Sequence, residues 1–207
     1  YLVAGLVSVW ALRLSVRIGR KNWGKPEDAR YAAWRAEWLE RGRLYFVVRS
    51  YLQINLLQGL IIVIVSLPII WAIAFPTAWS GWSVLIGALI FVVGLSYETI
   101  ADWQLDAFIA RKKAGTESAE LMSEGLFRFS RRPNYFGESL LWWGLAIVVL
   151  PLPYGWLALA GPLTITYVVT RITGPILERH FLERYPEAYR TYMATTNYFI
   201  PGPPRNT

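Results

Sequence analysis

The sequence contains no cysteine and a single histidine, His180. Without cysteine the chain forms no disulfide, binds no metal through sulfur and performs no thiol chemistry. One imidazole is too few for an ordinary histidine metal site, in which several side chains share the ion. These two shortages predict that the protein has no metal site and no redox-active thiol.

Charge is scarce in five long apolar stretches, four of which contain no Asp, Glu, Lys or Arg. The stretches cover residues 1–16, 52–74, 82–96, 139–150 and 156–170. Hydrophobic residues make up 55% of the chain, more than soluble domains usually carry. A membrane-spanning helix needs about 20 apolar residues, so tilt or flanking residues must extend the shorter stretches. The pattern predicts an all-α polytopic membrane bundle with five transmembrane helices.

The charged residues are confined to one set of connections. All 21 basic and 14 acidic residues fall in or beside the segments 13–49, 98–138 and 171–207, whereas the connections 75–81 and 151–155 carry none. Because Lys and Arg accumulate in cytoplasmic loops, the charged face and the C-terminus are predicted to be cytoplasmic. The net charge of +7 follows from this topology, and no nucleic-acid motif accompanies it, so no nucleic-acid partner is expected.

The segment 125–138, GLFRFSRRPNYFGE, concentrates cationic side chains just before an apolar helix. Arginine guanidinium groups bind phosphate oxygens, and a helix start adds unpaired N–H groups. The pattern predicts Asn134 as the N-cap, with Tyr135 opening the first turn and Glu138 within it. The cationic candidates are Arg128, Arg131 and Arg132. They predict either an anion-binding site or a cluster that holds lipid headgroups.

Polar residues on the second apolar stretch share one helix face. Tyr51, Asn55 and Gln58 follow one another at i, i+4 and i+7, so they are expected to face the bundle interior. Intramembrane polar groups either join helices or line a pocket, and the spacing favours neither.

Two carboxylates lie at the charged end of the third stretch. Glu98 and Asp102 are four residues apart, so they stack on one helix face and repel each other unless cations or donors face them. Ion pairing with the arginine cluster is one interpretation. The other is that they orient the arginines or accept hydrogen bonds from a nucleotide.

Charged amphipathic segments flank the apolar stretches. Residues 24–43 and 176–194 predict interfacial helices, the first ending near Gly42 and the second broken near Pro186. Tyr31, Trp34 and Trp38 form an aromatic stripe expected in the headgroup layer. The segment is either an interfacial anchor or a closure over a ligand, formed by Asp28, Arg30 and Tyr31.

The chain reads as one helical domain over residues 1–207, without repeats or low-complexity linkers. It begins within an apolar stretch and without Met, so upstream helices are expected to be missing.

Several strings together carry a family resemblance. GLFRFSRRPNYFGESLLWWG, YETIADWQLDAF, GKPEDARYAAWR and YPEAYRTYMATTNYFIPGPP resemble bacterial DUF1295 proteins, relatives of steroid 5-alpha-reductase. The resemblance implies an NADPH-dependent reductase with seven helices, of which this chain holds the last five, in a bacterial inner membrane. A shorter Arg-x-Pro-x-Tyr-x-Gly core also occurs in isoprenylcysteine carboxyl methyltransferases and sterol reductases.

The resemblance assigns cofactor-binding roles residue by residue. It places Asn134, Glu138, Asp102, Glu98 and Arg171 at the cofactor, and Tyr135 in the same segment is a further cofactor-binding candidate. The family's catalytic tyrosine position holds Trp10 instead, and its glutamate would lie upstream of Tyr1. Indole cannot serve as an acid, so cofactor binding is better supported than steroid reduction.

The chemistry requires a donor to the ketone oxygen, for which the candidates are Tyr45, Tyr51 and Tyr97. The expected function is therefore NADPH-dependent reduction of a carbon–carbon double bond conjugated to a ketone, in a lipophilic steroid, polyprenoid or fatty substrate. The first alternative is a methyltransferase that uses S-adenosylmethionine, which has no phosphate for the arginines. The second is a non-enzymatic lipid-binding protein. The expected partners are the lipophilic substrate and membrane lipids, and the sequence does not indicate an oligomeric state.

Overall fold

The computed structural model describes residues 1–24, 29–76 and 81–205. Within these ranges the regular structure is helical and contains no strand, which confirms the all-α prediction. The chain divides into two compact units, Tyr1–Ser66 and Leu67–Thr207. The expectation of a single domain stays a prediction, and each unit is described by itself.

The described residues of the first unit are mainly helical. Its elements are α1 (Leu2–Asn22), α2 (Ala29–Glu40), α3 (Arg43–Ser50), a π turn (Tyr51–Leu56) and α4 (Leu57–Val65). The last three form one continuous helix, Arg43–Val65.

Gly42 has a φ of 101°, a conformation that favours glycine, and it separates α2 from α3 as the sequence predicts.

The two tryptophans of the aromatic stripe on α2 differ in their exposure. Trp34 stacks on Trp38 with ring centroids 5.9 Å apart. Trp38 is only 4% exposed whereas Trp34 is exposed. Trp38 is therefore covered by protein atoms, and the position of the stripe in the headgroup layer stays a prediction.

The second apolar stretch is not one helix. The sequence predicts a single span over residues 52–74, but the helix ends at Val65 and a separate helix begins at Leu67. Pro68 explains the break, because its ring has no N–H to donate and clashes with the carbonyl one turn earlier. The boundary between the two compact units falls at this break.

The second unit contains the remaining helices. They are α5 (Leu67–Ala74), α6 (Gly81–Lys113), α7 (Pro133–Val149), α8 (Ala160–Tyr167), α9 (Gly174–Arg184) and α10 (Pro186–Thr195). A 3₁₀ turn, Gly125–Arg128, precedes α7, a second one, Gly155–Leu159, precedes α8, and a π turn, Val168–Thr173, joins α8 to α9. The break between α9 and α10 comes at Tyr185 and Pro186, as predicted.

Three helices of the described chain are long and apolar enough to cross a membrane: Leu2–Asn22, Arg43–Val65 and Gly81–Lys113. Helix α6 has 33 residues, and at 1.5 Å per residue it is about 50 Å long. Because the hydrocarbon layer is about 30 Å thick, one end of α6 extends beyond it.

The core of the second unit is the antiparallel pair α6 and α7. Gly87 and Gly94 on α6 face Gly144 and Gly137 on α7. A Cβ at Gly137 would lie 2.5 Å from the backbone nitrogen of Glu98, so side chains are excluded where the two backbones meet. This contact fixes how the charged end of α6 meets the start of α7.

Candidate functional site

The charged end of the α6–α7 pair brings three predicted residues together. Glu98 and Asp102 on α6 are each only 4% exposed. Asn134 on α7 donates a hydrogen bond through Nδ2 to Oδ1 of Asp102, at 3.4 Å. Because Gly137 lets the backbones approach beside Glu98, both carboxylates lie against the first turns of α7. The sequence predicted these residues, and the structure places them in one cluster.

Helix α7 begins earlier than the sequence predicts. Arg132 is the N-cap and Pro133 the first helical residue, so the assignment of Asn134 as N-cap is wrong. Proline fits the first helical position, and it keeps the preceding residue out of the helical conformation. Glu138 consequently lies in the second turn, not the first. The Asn134 side chain is therefore directed to Asp102 across the helix pair instead of capping its own helix.

Arg131 is committed to protein contacts. Its Nε and Nη2 donate to Oε1 of Glu178 on α9, at 2.9 and 2.7 Å. Its Nη1 donates to the backbone oxygens of Met193 and Thr196, at 3.2 and 2.8 Å. The guanidinium also lies over the ring of Tyr198, 5.4 Å from the centroid. With these donors used, Arg131 joins the start of α7 to α9 and α10.

Arg132 differs from its neighbour. Its Nε and Nη2 are buried, and among the described residues they have no hydrogen-bond partner. The guanidinium lies over the ring of Phe181 on α9, 5.5 Å from the centroid. A buried guanidinium donor without an acceptor is costly, since the group has lost its water. The arrangement favours an anionic ligand that supplies the missing acceptors.

A layer of aromatic side chains from α10 and the tail supports the arginines. The hydroxyl of Tyr192 donates to the backbone oxygen of Phe127 at 2.7 Å, and that of Tyr198 donates to the backbone oxygen of Thr170 at 2.6 Å. Burial raises the pKa of Tyr192 and of Tyr198, and the positive charge of Arg132 opposes the rise. These tyrosines therefore stay neutral donors at physiological pH.

The tail also holds the backbone of the arginine segment. The N–H of Arg131 donates to the oxygen of Asn197 at 2.8 Å, and the hydroxyl of Ser130 donates to the oxygen of Phe199 at 2.7 Å. Sequence reasoning missed Glu178, Tyr192 and Tyr198. The spacing of tyrosines on α10 indicates a buried face, but it does not reveal which segment that face covers.

The two other predicted cationic residues, Arg171 and Arg128, are both exposed. Arg171 lies in the π turn Val168–Thr173 and is exposed, and its charge acts on the pKa of Tyr198. Arg128 is also exposed and lines a groove with Arg205 that does not include Arg132. The three arginines of the sequence cluster thus differ: Arg131 is bound by protein groups, Arg132 has buried donors without a partner in the described ranges, and Arg128 is exposed.

Tyr135 and Glu138 are half-buried on the first two turns of α7. Their assignment to the cofactor stays a prediction, as does that of Arg171. In the described ranges no group of His, Asp or Glu side chains could hold a metal ion.

The remaining candidate residues lie in the first unit. Tyr45 receives a hydrogen bond from Arg41 at 3.3 Å. Tyr51, Asn55 and Gln58 are exposed on the helix Arg43–Val65, and the π turn Tyr51–Leu56 alters the helical register on which their spacing was judged. Their assignment to a substrate pocket stays a prediction. Asp28 and the side chains of Arg30 and Tyr31 lie outside the described residues.

Comparison with known proteins identifies the family. The profile of the family described as "Protein of unknown function (DUF1295)" matches residues 1–196. Steroid 5-alpha-reductase DET2 of Gossypium hirsutum is 40% identical over 67 residues, which are 32% of this chain and 25% of that protein. The alignment thus spans a quarter of that curated relative, and no solved structure matches the chain. Since the family profile covers nearly the whole sequence, this protein belongs to the DUF1295 family.

Proposed function

We propose that this protein is a membrane oxidoreductase that uses NADPH to reduce a carbon–carbon double bond conjugated to a ketone in a lipophilic, steroid-like or isoprenoid substrate. The observation that carries the proposal is the half-buried side chain of Arg132, whose Nε and Nη2 are buried and have no acceptor in the described ranges. It stands at the N-cap of α7, beside the cluster formed by Glu98, Asp102 and Asn134.

The residues at this end of α7 fit a phosphate-bearing cofactor. Guanidinium N–H groups donate to phosphate oxygens, and the first turn of a helix adds peptide N–H groups and the positive end of the dipole. Arg131 is left out of the proposed phosphate ligands because Glu178 and backbone oxygens already accept from it. Arg132 is therefore the proposed phosphate ligand, with Arg171 as a second candidate.

The acidic and amide groups fit the uncharged parts of the cofactor. The amide of Asn134 and the carboxylate of Asp102 lie 3.4 Å apart, and groups of these two kinds pair with ribose hydroxyls and with a carboxamide. Glu98 lies one turn away on α6 and offers a further acceptor. Glu138 and Tyr135 complete the proposed cofactor-binding set.

NADPH, when bound, supplies the hydride, and the protein supplies a donor to the ketone oxygen. Among the three tyrosine candidates Tyr97 is favoured. Its ring packs edge-on against Phe136 of α7, with centroids 5.6 Å apart, at the same end of the helix pair as Asn134. Tyr45 is engaged by Arg41, and Tyr51 is exposed in the first unit.

The membrane setting completes the proposal. Besides the three long apolar helices, α7 with 17 residues and the continuous segment from α8 into α9 are the proposed fourth and fifth spans. Arg111, Lys112 and Lys113 close α6, which supports a cytoplasmic position for that end and for the cofactor site. A bacterial inner membrane is the proposed location.

The similarity to a steroid 5-alpha-reductase supports the reductase class, because the name of that relative states a reductase and a steroid substrate. Its aligned segment covers only a third of this chain, so the substrate class is part of the proposal. A steroid-like or isoprenoid enone fits the apolar surroundings of a site at the membrane boundary.

The test is to identify the nucleotide that copurifies with the full-length protein in mild detergent, by mass spectrometry, and to titrate NADPH and S-adenosylmethionine into the purified protein. Saturable NADPH binding, with NADPH oxidation that depends on an added steroid or isoprenoid enone, supports the proposal. Binding of S-adenosylmethionine without NADPH would assign methyl transfer instead. Binding of lipid alone would assign a non-enzymatic role.

A further inference from the structure

A cationic groove whose lining does not include Arg132 lies between the end of α10, the turn Gly125–Arg128 and the C-terminal tail. Its volume is about 570 Å³. The lining residues are Ser123, Arg128, Tyr192, Thr195, Thr196, Pro204 and Arg205. The lining contains two arginines and no acidic side chain, so the groove is positively charged.

Arg205 is held in place by its neighbours. Its backbone N–H donates to the oxygen of Thr195 at 2.9 Å, and its Nη2 donates to Oδ1 of Asn197 at 3.2 Å. The two contacts fix the guanidinium at the wall of the groove, while Nε and Nη1 remain for a ligand. A side chain ordered in advance loses less conformational entropy on binding.

Arg128 is the second arginine of the lining. It is exposed, and no residue in the described ranges forms a hydrogen bond or ion pair with it. The lining also includes the hydroxyl-bearing residues Ser123 and Thr196. The ring of Tyr192 also contributes to the lining, while its hydroxyl is used by Phe127.

We propose that this groove binds the phosphate group of an organic ligand. Two guanidinium groups and hydroxyl-bearing residues in one lining are donors that phosphate oxygens accept from. The volume is far larger than a phosphate ion, whose size is nearer that of a few water molecules, and it lies in the range of small-molecule sites of about 300–1,000 Å³. The groove therefore has room for a phosphate that is carried on a larger group.

Two sources present such a phosphate at a membrane surface: an anionic phospholipid headgroup and a nucleotide. The groove does not include Arg132, Asn134 or Asp102, so the inference does not depend on the proposed reductase site. Variants of Arg128 and Arg205 test the groove, while variants of Arg132 test the proposed function.

The experiment uses full-length protein in detergent and follows the melting temperature during titration with inorganic phosphate, with potassium chloride holding the ionic strength constant. Because Arg132 is itself a proposed phosphate ligand, every protein in this experiment carries Arg132→Ala, and we compare that background with the same protein carrying Arg128→Ala and Arg205→Ala as well, called the double variant. The control is Arg190→Ala, which removes an exposed arginine of α10 that pairs with Glu187. The double variant should raise the half-saturating phosphate concentration at least about tenfold, as expected when hydrogen bonds to a charged group are lost.

An unchanged half-saturating concentration in the double variant overturns the proposal. If the double variant does not fold, Arg128→Gln alone, at an exposed and unpartnered side chain, replaces it and should weaken phosphate binding severalfold. The same titration with phosphatidylglycerol micelles and with adenosine 2′,5′-bisphosphate distinguishes the sources. The ligand whose stabilisation is lost in the double variant is the one that the groove binds, and retention of both effects contradicts the proposal.

Discussion

Arg131 before α7 and Glu178 on α9 are joined by two short hydrogen bonds to one carboxylate oxygen, from Nε at 2.9 Å and Nη2 at 2.7 Å. The pair is largely buried, with the side chains 8% and 17% exposed. The next residue, Arg132, has buried donors without a partner in the described ranges. One arginine thus fixes the segment, and its neighbour is left for a ligand.

The Arg131–Glu178 pair is expected to stabilise the fold. Glu178→Ala leaves a buried guanidinium without its counter-charge, which should lower the free energy of unfolding by about 3–5 kcal/mol. The control Glu187→Ala removes a carboxylate from a pair that is 70% and 88% exposed, and it should change the melting temperature little. Thermal unfolding of both variants measures the difference. Equal melting temperatures would show that the buried pair does not hold the segment.

The close approach of α6 and α7 is expected to tolerate no side chain at Gly137. Gly137→Ala would place a Cβ 2.5 Å from the backbone nitrogen of Glu98, so the helices must separate, at a cost of about 1–3 kcal/mol. Gly59→Ala is the control, because its Cβ would meet nothing within 4 Å. The melting temperature of Gly137→Ala should therefore lie several degrees below that of Gly59→Ala. A Gly137→Ala protein as stable as the parent would contradict the close contact.

The buried tyrosine of α10 predicts how stability depends on pH. Burial raises the pKa of Tyr192 above its usual value, so its hydroxyl stays protonated in the folded state after it ionises in the unfolded chain. Stability is therefore complete below about pH 10 and decreases as the pH rises further, by about 1.4 kcal/mol per pH unit for this one proton. Tyr192→Phe should make the decrease between pH 10 and 11 shallower. Denaturation measured from pH 8 to 11 checks this, and an unchanged slope would remove Tyr192 as its source.

Sidedness can be measured directly because the chain has no cysteine. Tyr154 is 71% exposed in the charge-free connection between α7 and α8, and Ser118 is exposed in the connection after the basic end of α6. Tyr154→Cys should react with an impermeant thiol reagent added to intact cells, and Ser118→Cys should react only after the membrane is opened. The reverse labelling would invert the proposed topology.

The sequence predicted the parts of the fold that depend on local signals. Gly42 ends α2 with a positive φ, and Pro186 begins α10 after a break, both as expected. The second apolar stretch was misjudged because hydropathy outweighed Pro68, although that residue has a direct steric effect on a helix. Asn134 was misjudged as a cap because Pro133 was not given the first helical position.

The different roles of Arg131 and Arg132 could not be read from adjacent identical letters. They depend on contacts with Glu178 and Phe181, about fifty residues later in the chain, and on tail residues that close over the segment. Arg128 has different surroundings from Arg131 and Arg132 for the same reason, because it lines a separate groove with residues of α10 and the tail. Local sequence patterns indicate the residue types of a site, but packing over long sequence separations decides which side chains remain for a ligand.

Arg132 is expected to bind the phosphates of NADPH, and the NADPH affinity of Arg132→Ala tests this expectation most directly. Losing a hydrogen-bonded charge should weaken binding by about 1.5–3 kcal/mol, which is roughly ten- to 150-fold in Kd. Arg190→Ala, with its exposed pair, should bind as the parent does. Melting temperatures verify that each variant is folded. If folded Arg132→Ala binds NADPH with the affinity of the parent, the account of this site is wrong.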